Sequence, residues 1–98
     1  MAEKYPAIYM MANGRNGTLY IGVTSNLIKR TYEHKHHLAD GFTKKHKCSM
    51  LVYYELCDSM DVAVHREKRL KKYTRKAKLN LIENQNPDWK DLYETVIP

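Results

Sequence analysis

Apolar positions along the chain fall into short runs of two periods, and the change of period marks out the elements. Ala7 to Ala12 is an apolar run, and Thr18 to Val23 is a second one rich in strand-forming residues. Between them Asn13-Gly14-Arg15-Asn16-Gly17 supplies residue types that adopt the positive φ of a tight turn, so the two runs predict a β-hairpin. Thr24-Ser25-Asn26 offers N-cap oxygens, and Leu27, Ile28, Thr31, Tyr32 and Leu38 recur at helical spacing, which predicts a helix of roughly three turns. From Asp40 to Lys47 the chain is basic, contains Gly41 and shows neither period, so a loop is expected. Met50 to Cys57 (MLVYYELC) returns to strand composition. Asp58-Ser59-Met60-Asp61 has capping-box character and opens a helix to about Tyr73, with a second from about Arg75 to Glu83. Asn86-Pro87-Asp88 starts one more short helix, because proline is tolerated at the first helical position. The order is ββαβααα, an α+β fold with a small three-stranded, mostly antiparallel sheet flanked by helices. Neither repeat nor linker interrupts it, and residues 1–98 are expected to form one domain.

Composition adds charge to this outline. Seventeen Lys and Arg against eleven Asp and Glu give a formal net charge of +6 over 98 residues, which favours polyanionic partners over acidic-site ones. No apolar stretch approaches the ~20 residues that span a bilayer, and the first ten residues lack a secretory pattern, so a cytoplasmic protein without a membrane span is expected. Cys48 and Cys57 flank the third strand; with the chain extended between them their Cα atoms lie on the order of 30 Å apart, beyond the reach of a disulfide. They also lack the CxxC spacing of a zinc site, so reduced, packed thiols are expected.

Several residues do not fit a plain core. Eight of the ten aromatics are tyrosine, a side chain with an apolar body and a reactive hydroxyl. On a helical wheel with Ala63 at 0°, Met60, Val64, Leu70 and Tyr73 define an apolar arc, and Glu67 falls inside it at about 40°. An ionised carboxylate facing a core needs a partner. That partner is either an arginine from a neighbouring helix or a metal ion, and the residues alone leave both open. Arg66 to Lys78 carries eight basic residues against one acid, a local charge of +7. A solvated surface is the commonest fate of such a run; with Lys44, Lys45 and Lys47 it also matches a phosphate footprint formed by Lys68, Arg69, Lys72, Arg75 and Lys76. Arg30 and His34 are four apart and share a helix face, where both can donate to a phosphate oxygen. Taken alone the pair is weak evidence, and the histidines as a set define no metal site. Tyr9 and Tyr20 sit in the two hairpin strands, and whether they share a face depends on the register of the turn.

Ala7-Ile8-Tyr9, Tyr20-Ile21-Gly22, Arg30, His34 and a helical Glu67 together resemble the GIY-YIG nuclease superfamily. The nearest resemblance is to its small stand-alone bacterial members, related to the nuclease domain of the DNA-incising component of the bacterial excinuclease. The segments GTLYIGVTSNLIKRTYEHK, GFTKKH, LVYYE, REKRLKKYTRKAKLNLIE and NPDWKDLYE carry it over nearly the whole chain. Ala7 stands where the glycine of the first motif is usual, a position that supplies backbone rather than a reactive group. Asn80 and Asn84 are the candidates for a late asparagine that some members use near the metal, and neither aligns convincingly.

The resemblance implies hydrolysis of a nucleic-acid phosphodiester, DNA ahead of RNA, with one divalent cation, Mg²⁺ or Mn²⁺, held by Glu67 largely through waters. It makes Tyr20 the acceptor of the attacking water's proton, which a tyrosine can be only where Arg30, the metal or His34 favours phenolate character. Arg30 would neutralise charge on the phosphoryl oxygens, with Tyr9 and His34 orienting the water and Tyr20. Two other classes stand beside this reading: a module that binds nucleic acid without cutting it, or cuts only with a partner, and a purely structural module. A chain of this length leaves target choice to shape and charge or to a protein partner.

Overall fold

The computed structural model describes residues 5–38 and 41–97. Strands β1 (Ala7–Ala12) and β2 (Leu19–Thr24) form the expected hairpin. Its antiparallel register pairs Tyr9 with Gly22 and Met11 with Tyr20. Strand β3 (Met50–Leu56) runs antiparallel along the other side of β1, giving the sheet order β2-β1-β3, with a register shift between Met10 and Met11. Five helices complete the fold: α1 (Leu27–Lys35), α2 (Phe42–Lys45), α3 (Met60–Lys71), α4 (Arg75–Gln85) and α5 (Tyr93–Val96). The order ββαβααα therefore holds, with α2 as an added helical turn between α1 and β3.

β1 is buried at all six positions because the sheet is covered on both faces, and a central strand of that kind reads as a continuous apolar run rather than an alternating one. On one face Ile8, Met10 and Ala12 pack with Val52 and Tyr53, Ala63 and Leu70 of α3, Ile82 of α4, and Trp89. On the other Ala7, Tyr9 and Met11 pack with Leu27 of α1, Cys48 and Leu51, flanked by Leu92 and Val96 at the C-terminal end. Three helices start on side-chain caps: Asn26 accepts from Lys29 N, Ser59 from Val62 N and Thr74 from Ala77 N.

The outer edge of β3 is closed by side chains. The Gln85 amide stands in for a neighbouring strand, accepting from Tyr54 N at 3.1 Å and donating to Tyr54 O at 2.8 Å. Nearer the start of the strand, Leu51 N donates to Asp91 Oδ1 at 3.1 Å, and Leu51 O accepts from Leu92 N at 2.7 Å.

Four local expectations change. Phe42–Lys45 is a helical turn rather than loop, entered through Gly41 at φ 95°, a left-handed value that suits glycine; Ala39 and Asp40 lie outside the described residues. α1 ends at Lys35, so Leu38 is not on it, and Leu38 and Tyr32 are exposed. Its buried stripe is Leu27, Thr31 and His34 instead. Met60 is also exposed, and only Ala63 and Leu70 of the α3 arc are fully buried. Asn86 caps no helix. Its amide donates to the carbonyls of Val52 and Lys90 and its Oδ1 accepts from Lys90 N, so a turn follows Pro87 and the last helix comes later, at α5.

Both cysteines are free, Cys48 buried and Cys57 half-buried. Burial pushes the Cys48 thiol up, away from thiolate character. Among the described residues no helix is long and apolar enough to cross a membrane.

Candidate active site

The hairpin register fixes where the two tyrosines lie. With Tyr9 opposite Gly22 and Tyr20 opposite Met11, they are diagonal neighbours on one face, their ring centroids 6.3 Å apart. Gly22 makes this possible: a Cβ built there would lie 2.4 Å from Tyr9 Oη and 2.9 Å from a Tyr20 ring carbon, so any larger residue collides with the pair. Its glycine is needed for close approach rather than for a special dihedral.

α1 crosses this face and brings in His34, whose ring centroid lies 5.5 Å from Tyr9 and 5.6 Å from Tyr20. His34 Nε2 is 2.8 Å from Tyr9 Oη, and both side chains are buried. Burial, and then the positive charge of Arg30, lower the His34 pKa to about 4, so the imidazole is neutral at neutral pH. Burial likewise raises Tyr9 to about 12 against the pull of the neighbouring Arg30 guanidinium, which keeps Tyr9 a phenol. Arg30, one helical turn before His34, is half-buried and hydrogen-bonds Glu33 at 3.3 Å. Burial works against its charge, but its interactions with Tyr9 and Glu33 prevail and hold its pKa above the ordinary arginine value.

Two residues that the loop expectation left without a role belong to this cluster. Thr43 Oγ1 lies 2.8 Å from His34 Nδ1. Phe42, exposed, stacks on Tyr20 at 5.9 Å with an interplanar angle of 27° and meets His46 at 4.3 Å. Their only sequence signal was an aromatic and a hydroxyl residue inside GFTKKH. Tyr20 itself is half-buried, and among the described residues its hydroxyl has no hydrogen-bond partner.

Glu67 stands apart from these four. It lies between the fully buried Ala63 and Leu70 on the sheet-facing side of α3, its side chain 14% exposed, as the wheel places it. Its partner is Lys71 of the same helix at 3.0 Å, not an arginine from a neighbouring helix. No hydrogen bond or ion pair links it to Tyr9, Tyr20, Arg30 or His34 among the described residues; α3 packs instead against β2 and β1, the strands that carry the two tyrosines. Asn80 and Asn84 are exposed on α4 and join neither group.

The basic residues form two groups. Lys44, Lys45 and Lys47 are exposed at α2, while Lys68, Arg69, Lys72, Arg75 and Lys76 are exposed on α3, α4 and their junction. The β1–β2 turn lies between the groups: Asn13 donates to His46 O on one side, and Arg75 donates to the carbonyls of Asn16 and Gly17 on the other. Arg66 is not part of the footprint, since it grips Glu55 of β3 through Nε and Nη2 at 2.9 and 3.0 Å.

The GIY-YIG catalytic domain family matches residues 5–80. A UPF0213 protein of Fusobacterium nucleatum is 34% identical over 85 residues, 87% of this chain and 84% of its own. One from Syntrophus aciditrophicus is 40% identical over 72 residues, 72% of this chain and 82% of its own. A third, from Staphylococcus haemolyticus, is 32% identical over 87% of this chain and 100% of its own. No solved structure gives a significant match. The chain belongs to the GIY-YIG nuclease family, among the small stand-alone bacterial proteins grouped as UPF0213. Nucleic acid is the substrate class that such a domain implies.

Proposed function

We propose that the chain is a metal-dependent endonuclease that hydrolyses phosphodiester bonds, with DNA ahead of RNA as substrate, in structure-directed DNA processing or repair. It acts as one domain in the cytoplasm. The observation that carries this is the packing of Tyr9, Tyr20 and His34 into one cluster with Arg30 beside it, on strands that α3 and its Glu67 also cover. Tyr20 is the hydroxyl without a protein partner, which suits it to take the proton of the attacking water. Arg30 is permanently charged and can neutralise the phosphoryl oxygens once a phosphate replaces Glu33. Neutral His34 holds the Tyr9 hydroxyl, and Tyr9 orients the water.

Glu67 fits a hard divalent cation as a lone, mostly covered carboxylate whose one ion pair is to an exposed lysine. Among the described residues no group of three or more His, Cys, Asp or Glu could enclose an ion, which suits Mg²⁺ or Mn²⁺ held by one carboxylate and completed by waters and substrate. When bound, the ion would polarise the phosphate and stabilise the leaving oxygen. The two basic groups, Lys44, Lys45 and Lys47 with Lys68, Arg69, Lys72, Arg75 and Lys76, grip the nucleic-acid backbone.

One observation favours a second reading, a module that binds without cutting or that a protein partner activates: Arg30 and Glu67 are each already paired, with Glu33 and Lys71. The test is cleavage of labelled single-stranded, duplex and branched DNA, and of RNA, by purified protein with Mg²⁺ or Mn²⁺. Cutting is expected, with Glu67→Ala and Tyr20→Phe slowing it by about 10²-fold or more while keeping binding. Salt-sensitive binding to every substrate with no wild-type cleavage would establish the second reading.

A further inference from the structure

His34 is held at both ring nitrogens by hydroxyls, and all three side chains are at most 2% exposed. Nε2 lies 2.8 Å from Tyr9 Oη and Nδ1 lies 2.8 Å from Thr43 Oγ1. A neutral imidazole has one N–H and one acceptor nitrogen, so the two contacts run in series in one of two directions. Either Tyr9 donates to Nε2 and Nδ1–H donates to Thr43, or Thr43 donates to Nδ1 and Nε2–H donates to Tyr9.

The first direction strands a proton. Thr43 Oγ1 has no other hydrogen-bond partner among the described residues, and leaving a buried hydroxyl proton without an acceptor costs about 1–3 kcal/mol. The second direction uses every group: the Thr43 proton goes to Nδ1, the Nε2 proton goes to Tyr9 Oη, and Tyr9 keeps its own proton to donate. No buried side-chain nitrogen or oxygen among the described residues lacks a partner, which is the pattern expected of a series satisfied from end to end.

We propose that Thr43 is a positioning residue of this site: its hydroxyl donates to His34 Nδ1, fixes the Nε2–H tautomer, and so turns the Tyr9 proton toward the substrate. The catalytic consequence rests on the nuclease reading; the tautomer does not. The Thr43 hydroxyl also anchors His34 at the end away from Tyr9, so the ring cannot rotate about its Tyr9 contact. Thr43 lies on α2, whose other residues Phe42, Lys44 and Lys45 are exposed. The segment that would meet substrate thus also sets the proton on the histidine.

The test is two-bond ¹⁵N–¹H correlation NMR of the imidazoles in the full-length protein at pH 7, with single-turnover cleavage alongside. Wild type is expected to show His34 protonated at Nε2, with Nδ1 as a hydrogen-bonded acceptor. In Thr43→Val the Nδ1 resonance should move downfield as it loses its donor, and in Thr43→Ser it should stay. The single-turnover rate should fall at least tenfold in Thr43→Val with substrate Kd changed less than twofold, and Thr43→Ser should return it to within threefold of wild type. A His34 protonated at Nδ1 in wild type overturns the proposal, and so does an unchanged rate in Thr43→Val or a rate that serine fails to restore. The wild-type spectrum decides the tautomer even if the valine variant does not fold. Absence of any wild-type cleavage would remove the nuclease reading and leave the tautomer to be judged by the spectra.

Discussion

At the scale of single residues, the site depends on burying groups that prefer water. His34 has its pKa lowered to about 4, by burial first and by Arg30 second, against an unfolded value of 6.5. Between those values the unfolded chain binds the proton more readily than the folded one, so stability falls as pH drops from about 6.5 toward 4 and is fully present above that range. The whole window corresponds to up to about 3 kcal/mol. Urea denaturation of wild type and His34→Gln at pH 7.5 and pH 5 should show the wild type losing more stability than the variant; equal losses would mean that His34 is not the group responsible. The tyrosine pair was legible as residue types, but its shared face was not, since a shift of one position in the turn would have sent Tyr9 and Tyr20 to opposite sides. Thr43 was not legible at all, because a buried hydroxyl in a polar, basic stretch carries no periodic signature.

At the scale of elements, α3 shows how a local charge pattern divides by role. Arg66 sits in the basic run, yet it is tied to Glu55 of β3 by a two-pronged ion pair and reaches the Tyr73 hydroxyl at 3.4 Å, while Tyr53 donates to the same carboxylate. Burial works to raise the Glu55 pKa, but hydrogen bonds from Arg66 and then Tyr53 outweigh it and hold the carboxyl below its ordinary range. Arg66→Ala should therefore cost about 1–3 kcal/mol in chemical denaturation. Lys68→Ala, two positions on and exposed, should stay within about 0.5 kcal/mol. Similar losses for the two would make Arg66 an ordinary surface residue. The strands, α1, α3 and α4 were readable because period and caps agree along each of them. The helical turn at α2 and the turn after Pro87 were not. The first is too short to show a period, and in the second Asn86 hydrogen-bonds the end of the sheet instead of capping a helix.

At the scale of the molecule, the +6 charge is spread over two groups on either side of the β1–β2 turn rather than along one helix. A backbone held at both should release counterions in proportion to the phosphates neutralised, by about 0.9 in log K per log salt for each on duplex DNA. Replacing Lys68 and Lys72 together with alanine should reduce that slope by about 2 and weaken binding evenly across sequences. A slope equal to wild type would show that α3 does not touch the backbone.

The closure of β3 sets where this protein can be cut short. The family match ends at residue 80, and every residue expected to do chemistry lies before that point. Ile82 and Trp89, which complete one core layer, and Gln85 and Asp91, which occupy the free side of the last strand, all come after it. A fragment trimmed to the matched region would keep its motifs but bare a row of unsatisfied backbone groups beside an open apolar face, the arrangement that templates strand-to-strand aggregation. The shortest form of this nuclease domain that resists aggregation is therefore set by how its sheet ends rather than by where its chemistry ends.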